Sequence, residues 1–160
     1  MSQKIIKLAF LILLFLALII AGADAQILNP AKVILNPGAD YSRSTRLFQG
    51  IPSLECSNKG RLWVVWYGGK GTGEDSLNYV TLVTSSDDDA SWSDEILVID
   101  PDGDGLMRAF DPELWMDPNG ILWLFWAQDV GHDGSVAGVW AITTDNPDEK
   151  SNLVQTTSFD

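Results

Sequence analysis

The chain has 160 residues, 46% of them hydrophobic and seven of them tryptophan, so it is long enough for one domain and too apolar for intrinsic disorder. A formal net charge of −12 without any basic stripe excludes a surface built for phosphate backbones, so no nucleic-acid partner is expected. Cys56 is the only cysteine; it excludes an internal disulfide and, lying in a candidate strand, reads as a buried small hydrophobe.

In chain order, Lys4 and Lys7 precede an apolar run over residues 8–23, and Ala23-Asp24-Ala25 offers a small-x-small cleavage site before Gln26. This is the three-part pattern of a secretory signal peptide over residues 1–25. The apolar run falls short of the ~20 residues that span a bilayer. The expectation is an exported chain, secreted or periplasmic, with no membrane attachment after cleavage. Cleavage takes two of the 10 basic and one of the 22 acidic residues, leaving 8 and 21 and a net charge of −13.

Residues 26–160 then form one architecture. Val33-Ile34-Leu35, set between Asn29-Pro30 and Asn36-Pro37-Gly38, reads as a short strand whose partner no local sequence defines. A polar stretch holds two of the four arginines, Arg43 and Arg46, and Phe48-Gln49-Gly50-Ile51-Pro52 leads on into a repeat. Gly60-Arg61-Leu62-Trp63-Val64-Val65-Trp66 returns sixty residues later as Gly120-Ile121-Leu122-Trp123-Leu124-Phe125-Trp126. At the same offset Pro52-Ser53-Leu54 faces Pro112-Glu113-Leu114, so Pro, Leu, Gly, Leu, Trp and Trp recur without a gap. Chance does not account for six matches in one register, and a repeat at this spacing marks a repeated supersecondary unit.

Each unit reads as antiparallel strands. Residues 62–66 and 122–126 are short apolar runs suited to strands buried on both faces. They follow shorter candidates at 53–57 and 113–117 across the turns Asn58-Lys59-Gly60 and Asp117-Pro118-Asn119-Gly120, with glycine where a positive φ is cheap. A third strand follows at 78–84 and at 137–143, and in the first copy a fourth at 95–99. The fold class is all-β, and four antiparallel strands per unit describe a propeller blade. About two blades are present, over residues 52–100 and 112–160, the second incomplete.

After the third strand, Ser85-Ser86-Asp87-Asp88-Asp89-Ala90-Ser91-Trp92 resembles an Asp-box, the Ser-x-Asp-x-Gly-x-Thr-Trp hairpin of sialidase-type propellers. Ser85, Asp87, Ser91 and Trp92 match, and Asp89 stands at the glycine position. The box implies a structural turn whose indole plugs the blade. With Gly50-Ile51-Pro52-Ser53-Leu54-Glu55, Trp66-Tyr67-Gly68-Gly69 and Arg108-Ala109-Phe110-Asp111-Pro112, the chain resembles the BNR-repeat sialidase-like glycoside hydrolases over residues 46–145. That resemblance implies a six-bladed propeller, a glycan or oligosaccharide partner and an exo-glycosidase that removes a terminal sugar.

Glycoside hydrolysis needs an acid for the leaving oxygen and a second group at the anomeric carbon. By resemblance, the acid comes from the loop after the first unit's second strand, which makes Glu74 the first catalytic candidate and Asp111 the second. For both, a solvated loop carboxylate is the plain alternative. An unpaired carboxylate in an apolar, Trp-lined pocket would hold its proton more tightly. Arg108, Tyr67, Lys70, Asn78, Gln128 and Asp129 are the substrate-binding candidates, with Arg108 able to clamp a carboxylate or simply pair with an acid. His132 has no partner at ligand spacing and reads as surface. The glycine-rich loop at 67–77 reads equally as a ligand-approach loop or a surface hairpin.

Two departures qualify the resemblance. Sialidases open their first blade with Phe-Arg-Ile-Pro, but Gly50 stands at the arginine position, so the sugar need not be sialic acid. The family's Tyr–Glu nucleophile pair has no match here, so the chain is expected to be truncated and inactive alone. A non-catalytic glycan-binding propeller and a polysaccharide lyase on the same scaffold stay open as alternatives. No cofactor is expected. Asp100, Asp102 and Asp104, with Asp111, imitate a calcium loop, against which stand the preceding strand and Arg108 at a ligand position; an acidic connector is preferred.

Overall fold

A computed structural model of the chain describes residues 28–86 and 91–149 and the backbone of 156–159. The segment read as a signal peptide and residues 87–90 of the Asp-box-like turn lie outside these. Among the described residues, no helix is long and apolar enough to cross a membrane.

The described strands are β1 (Val33–Leu35), β2 (Phe48–Cys56), β3 (Leu62–Gly69), β4 (Asn78–Ser85), β5 (Leu97–Ile99), β6 (Met107–Met116), β7 (Leu122–Val130), β8 (Ala137–Thr144) and β9 (Thr156–Phe159). They form two antiparallel sheets, ordered β1-β5-β4-β3-β2 and β6-β7-β8-β9. The hairpin turns set the registers. Gly60 and Gly120 take φ values of 93° and 83°, and their N–H groups donate to the carbonyls of Ser57 and Asp117 at 2.9 and 3.0 Å. Only glycine adopts that backbone without a steric cost.

The repeat holds at the level of single bonds. The β2–β3 ladder slips between Gly50 and Ser53, and the β6–β7 ladder slips between Phe110 and Glu113. Each bulge contains an X-Pro pair, Ile51-Pro52 or Asp111-Pro112, because proline cannot donate to a ladder and bulges tolerate it. Trp66 and Trp126 lie opposite the two bulges.

The sheets pack through unlike faces. From β3, Trp63, Val65 and Tyr67 turn into the core; from β7, Leu122, Leu124 and Trp126 do so. Under the sixty-residue offset these are alternate sets, since Leu122, Leu124 and Trp126 correspond to Leu62, Val64 and Trp66. One face of the first sheet thus meets the opposite face of the second. That head-to-tail stacking is the relation between consecutive propeller blades. Burying each large apolar side chain in this seam contributes about 1.5–3 kcal/mol.

Two polar ties lock the seam. Gln128, fully buried, accepts the Ala31 N–H at 3.1 Å and donates to the Asn29 carbonyl at 3.0 Å, fixing the leader before β1. At the far end, Asp148 Oδ1 accepts the Ser57 hydroxyl at 2.6 Å and the Lys59 N–H at 3.2 Å. Arg61 Nε donates to the Asp148 carbonyl at 2.8 Å, and the Trp63 indole donates to the Pro147 carbonyl at 2.8 Å.

Several expectations change. Residues 62–66 are buried on one face and half-buried on the other, because only one side of the first sheet meets the second. Cys56 is exposed at the end of β2, not buried. Trp92 is 43% exposed and does not plug the blade. The first two strands of each copy run beyond their expected bounds: β2 and β6 start at Phe48 and Met107, β3 and β7 continue to Gly69 and Val130, while β5 begins only at Leu97.

Candidate functional site

The bulge in β6 builds the site. Asp111 takes φ 45°, a left-handed conformation that aspartate tolerates better than most side chains, and bulges re-aim the side chain they carry. Three residues earlier on the same strand, Arg108 is buried. Its Nε donates to Asp129 Oδ1 at 2.8 Å and its Nη2 to Asp129 Oδ2 at 3.4 Å, a two-point grip across the β6–β7 ladder. The guanidinium lies 3.9 Å from the centre of the Phe110 ring. Its remaining nitrogen, Nη1, stands 3.8 Å from Glu74 Oε2. That is an ion pair too long to be a hydrogen bond, so Nη1 is a buried donor with no hydrogen-bond partner among the described residues.

Glu74 reaches the cluster from the loop between β3 and β4. The Tyr67 hydroxyl donates to Glu74 Oε1 at 2.7 Å. Gly50, directly across from Tyr67 in the ladder, leaves room for the phenol: a Cβ there would lie 2.9 Å from its ring. The loop itself is tightly folded. Asp75 N–H donates to Asn78 Oδ1 at 2.9 Å, Leu77 N–H to Asp75 Oδ1 at 2.9 Å, and Asn78 Nδ2 to the Gly73 carbonyl at 3.3 Å.

Three carboxylates, of Glu74, Asp111 and Asp129, therefore meet one guanidinium. Asp129 holds Arg108 directly and Glu74 has both Tyr67 and Arg108. Asp111 is the least supported, and its carboxyl pKa is raised from the ordinary aspartate value by desolvation and then by the Glu74 charge, against the opposing pull of Arg108. The Tyr67 phenol is pushed up to about 12, first by burial and then by its bond to Glu74.

Of the residues singled out by sequence, Glu74, Asp111, Arg108, Tyr67 and Asp129 come together here. Three do not. Lys70 pairs with Asp104 at 3.2 Å and lies over the Tyr41 ring, away from the cluster. Asn78 is buried and folds its own loop. Gln128 spends its amide on Asn29, Ala31 and the Trp126 indole. Tyr67 is 1% exposed, so its ring offers no face to a ligand; it positions Glu74 instead. Nor is Glu74 an unpaired carboxylate in a Trp-lined pocket: its side chain is 57% exposed and already paired. His132 is exposed.

The calcium-like loop is closed by its own chain. Asp100 accepts the Tyr41 hydroxyl at 2.9 Å and the Gly103 N–H at 2.9 Å, Asp102 accepts the Met107 N–H at 3.0 Å, and Asp104 pairs with Lys70. Among the described residues no group of three metal-ligating side chains converges.

Two grooves of about 670 and 400 Å³ lie beside Trp66, on the outward side of the first sheet, and neither is lined by Glu74 or Asp111. The cluster stands instead at an open rim of the seam, where both carboxylates are exposed.

The chain is similar in fold to a Penicillium chrysogenum alpha-L-arabinanase solved with arabinobiose. Identity is 14% and the TM-score 0.35, with 81% of this chain and 54% of that chain covered. This chain spans about half the length of that structure. No family model matches the chain, and no curated protein matches it.

Sequence reasoning missed Phe110 as the platform under Arg108 and misread Asp129 as a ligand-facing group. Extending the hairpin register back from the Asp117–Gly120 turn, with one bulge at Pro112, would have set Arg108 opposite Asp129.

Proposed function

We propose that this chain is part of an exported, six-bladed, sialidase-like glycosidase that removes a terminal sugar from a glycan, and that it supplies the Arg108 rim of the site. The observation that carries this is the buried, unbonded Nη1 of Arg108, held in place by Asp129 and flanked by two carboxylates in unlike surroundings. A fixed guanidinium with one spare donor suits an electron-rich oxygen on a sugar, whether hydroxyl or carboxylate.

Asp111 is the general acid in this reading, ahead of Glu74. Desolvation and the neighbouring Glu74 charge favour its protonated form, which is the form that hands a proton to the leaving glycosidic oxygen. Glu74, held by the Tyr67 hydroxyl, stands beside the buried Arg108 Nη1, and its exposed side chain has to swing aside for a sugar oxygen to reach that nitrogen. The nucleophile is left to residues outside this cluster, so the chain by itself binds without turnover.

A non-catalytic glycan-binding module is the second reading, favoured by the open rim on which Glu74 and Asp111 stand. Calorimetric titration with oligosaccharides of differing terminal sugar tests the shared claim. Binding of at least one, weakened about tenfold or more by Arg108→Lys, supports the site. Binding that is indifferent to Arg108→Lys removes it.

A further inference from the structure

Arg108 Nη1 and Glu74 Oε2 stand 3.8 Å apart, a buried donor with no hydrogen-bond partner among the described residues beside a carboxylate oxygen. That separation is too wide for a hydrogen bond between them. It is narrow enough for a single oxygen to lie within ~2.7–2.9 Å of both.

How each side is held decides which oxygen fits. On the donor side, Asp129 grips Nε and Nη2, and the guanidinium lies 3.9 Å from the centre of the Phe110 ring, so Arg108 has a fixed direction. On the acceptor side, the Tyr67 hydroxyl bonds Glu74 Oε1 at 2.7 Å. The phenol is itself buried, in the space that Gly50 leaves for it. An oxygen that reaches Nη1 therefore moves Oε2 aside without releasing Glu74. The carboxylate turns about the oxygen that Tyr67 holds and stays next to the entering group, which meets a donor on one side and an acceptor on the other.

We propose that this rim selects a neutral terminal sugar over an acidic one, through a sugar hydroxyl that accepts from Arg108 Nη1 and donates to Glu74 Oε2. This rests on the reading of Arg108 as the sugar-binding donor and narrows it: Glu74 is the residue that sets specificity.

A hydroxyl carries both a lone pair and a proton, so it satisfies both neighbours. The carboxylate of an acidic sugar has acceptors only; it takes the Nη1 hydrogen bond and leaves Oε2 facing a second anion. An ammonium fails in the opposite sense, because it cannot accept from Nη1.

The local charge works in the same direction. Asp129 already neutralises Arg108 through its two-point grip. Lys70, the cation of the Glu74 loop, is paired with Asp104 at 3.2 Å. Glu74 is thus surplus negative charge, and Asp111 adds to it when ionised. The raised pKa of Asp111, to which the Glu74 charge contributes after desolvation, reflects a rim that already resists one more negative charge.

Calorimetric titration of the full chain tests the proposal with oligosaccharide pairs that differ only by oxidation of the terminal sugar at C6. The pairs end in glucose against glucuronic acid and in galactose against galacturonic acid. In any pair that binds, the neutral member is expected to bind at least about tenfold tighter. Glu74→Gln keeps the shape and the acceptor for Tyr67 without the charge, and is expected to reduce that preference severalfold. Near-ultraviolet circular dichroism checks that the variant folds, and Glu74→Ala replaces it if it does not.

An acidic member that binds as tightly as its neutral partner overturns the proposal, and the Arg108 site itself survives if Arg108→Lys weakens that binding. A neutral preference unchanged in Glu74→Gln also overturns it, since the net charge of −12 and not Glu74 is then the cause. Failure of every sugar to bind, or binding indifferent to Arg108→Lys, removes the Arg108 site and this proposal together.

Discussion

Ile51 and Asp111 occupy the same position in the two copies, and each turns its backbone to a positive φ, 41° and 45°, directly before a proline. The bulge geometry is thus a property of the repeat, and its chemistry differs between copies. At Asp111 it delivers a carboxylate to the rim beside Arg108. At Ile51 it holds a β-branched residue in a conformation that such residues rarely adopt.

That strain predicts a stabilising substitution. A left-handed backbone costs an L-residue about 1–2 kcal/mol, while the extra freedom of glycine in the unfolded chain takes back about 0.5–1 kcal/mol. Ile51 is 53% exposed, so little packing is lost. Ile51→Gly is expected to raise the urea midpoint, and a lower midpoint would show that the Ile51 side chain is worth more than its strain.

Arg108 and Asp129 form a pair with side chains only 8% and 4% exposed. Removing one partner strands a buried charge, so Asp129→Ala is expected to cost about 3–5 kcal/mol. Replacing both, as Arg108→Met with Asp129→Leu, is expected to cost clearly less in urea unfolding. Equal losses would mean that packing, and not the uncompensated charge, sets the cost.

Acid should open the seam at its far end. Hydrogen bonds from Ser57, then Lys59, hold the Asp148 carboxyl below the ordinary aspartate value. For a depressed carboxylate the folded state binds fewer protons, so its contribution is present above the unfolded value near 4 and is lost as pH falls through the folded one. Asp148→Asn is expected to flatten the acid limb of stability against pH. Asp111 works in the opposite sense. Its raised pKa favours folding below the unfolded value, and that contribution disappears as pH rises through the folded one. Asp111→Asn is therefore expected to be more stable than wild type at pH 7 and to lose that advantage in acid, by thermal unfolding at pH 7 and at a pH below the ordinary aspartate value.

The acid role has its own signature. In an active polypeptide that contains this chain, Asp111→Asn is expected to lower kcat about 10²–10⁴-fold on a poor leaving group. It should have far less effect on a substrate whose leaving group departs without a proton. An equal loss on both substrates would assign Asp111 to structure, and the same comparison with Glu74→Gln decides between the two carboxylates.

The repeat and the hairpins were legible because turn glycines and paired tryptophans carry strong local signals, whereas Glu74, Arg108 and Asp111 were singled out through the family resemblance. What stayed hidden depends on pairing across distance. Val33–Leu35 joins the first sheet beside β5, a partnership between residues over sixty positions apart that no local pattern encodes. The first halves of β2 and β6 hold Gln49-Gly50 and Arg108-Ala109, which interrupt the apolar run and conceal the strand. Gln128 looked like a ligand-facing amide because its role is to hold Asn29 and Ala31, ninety-odd residues away. Exposure at Cys56 and Trp92 was equally unreadable, since it depends on which sheet face meets the seam.

In the proposed site Arg108, fixed by Asp129, is the sugar-binding donor. The most direct test follows the arginine side-chain NH signals of the isotopically labelled chain by NMR while an oligosaccharide is added. The Arg108 signal is expected to shift first, and Arg108→Lys to abolish the response. Shifts confined to the Trp66 and Trp92 indoles, with Arg108 unmoved, would place binding in the groove of the first sheet and contradict it.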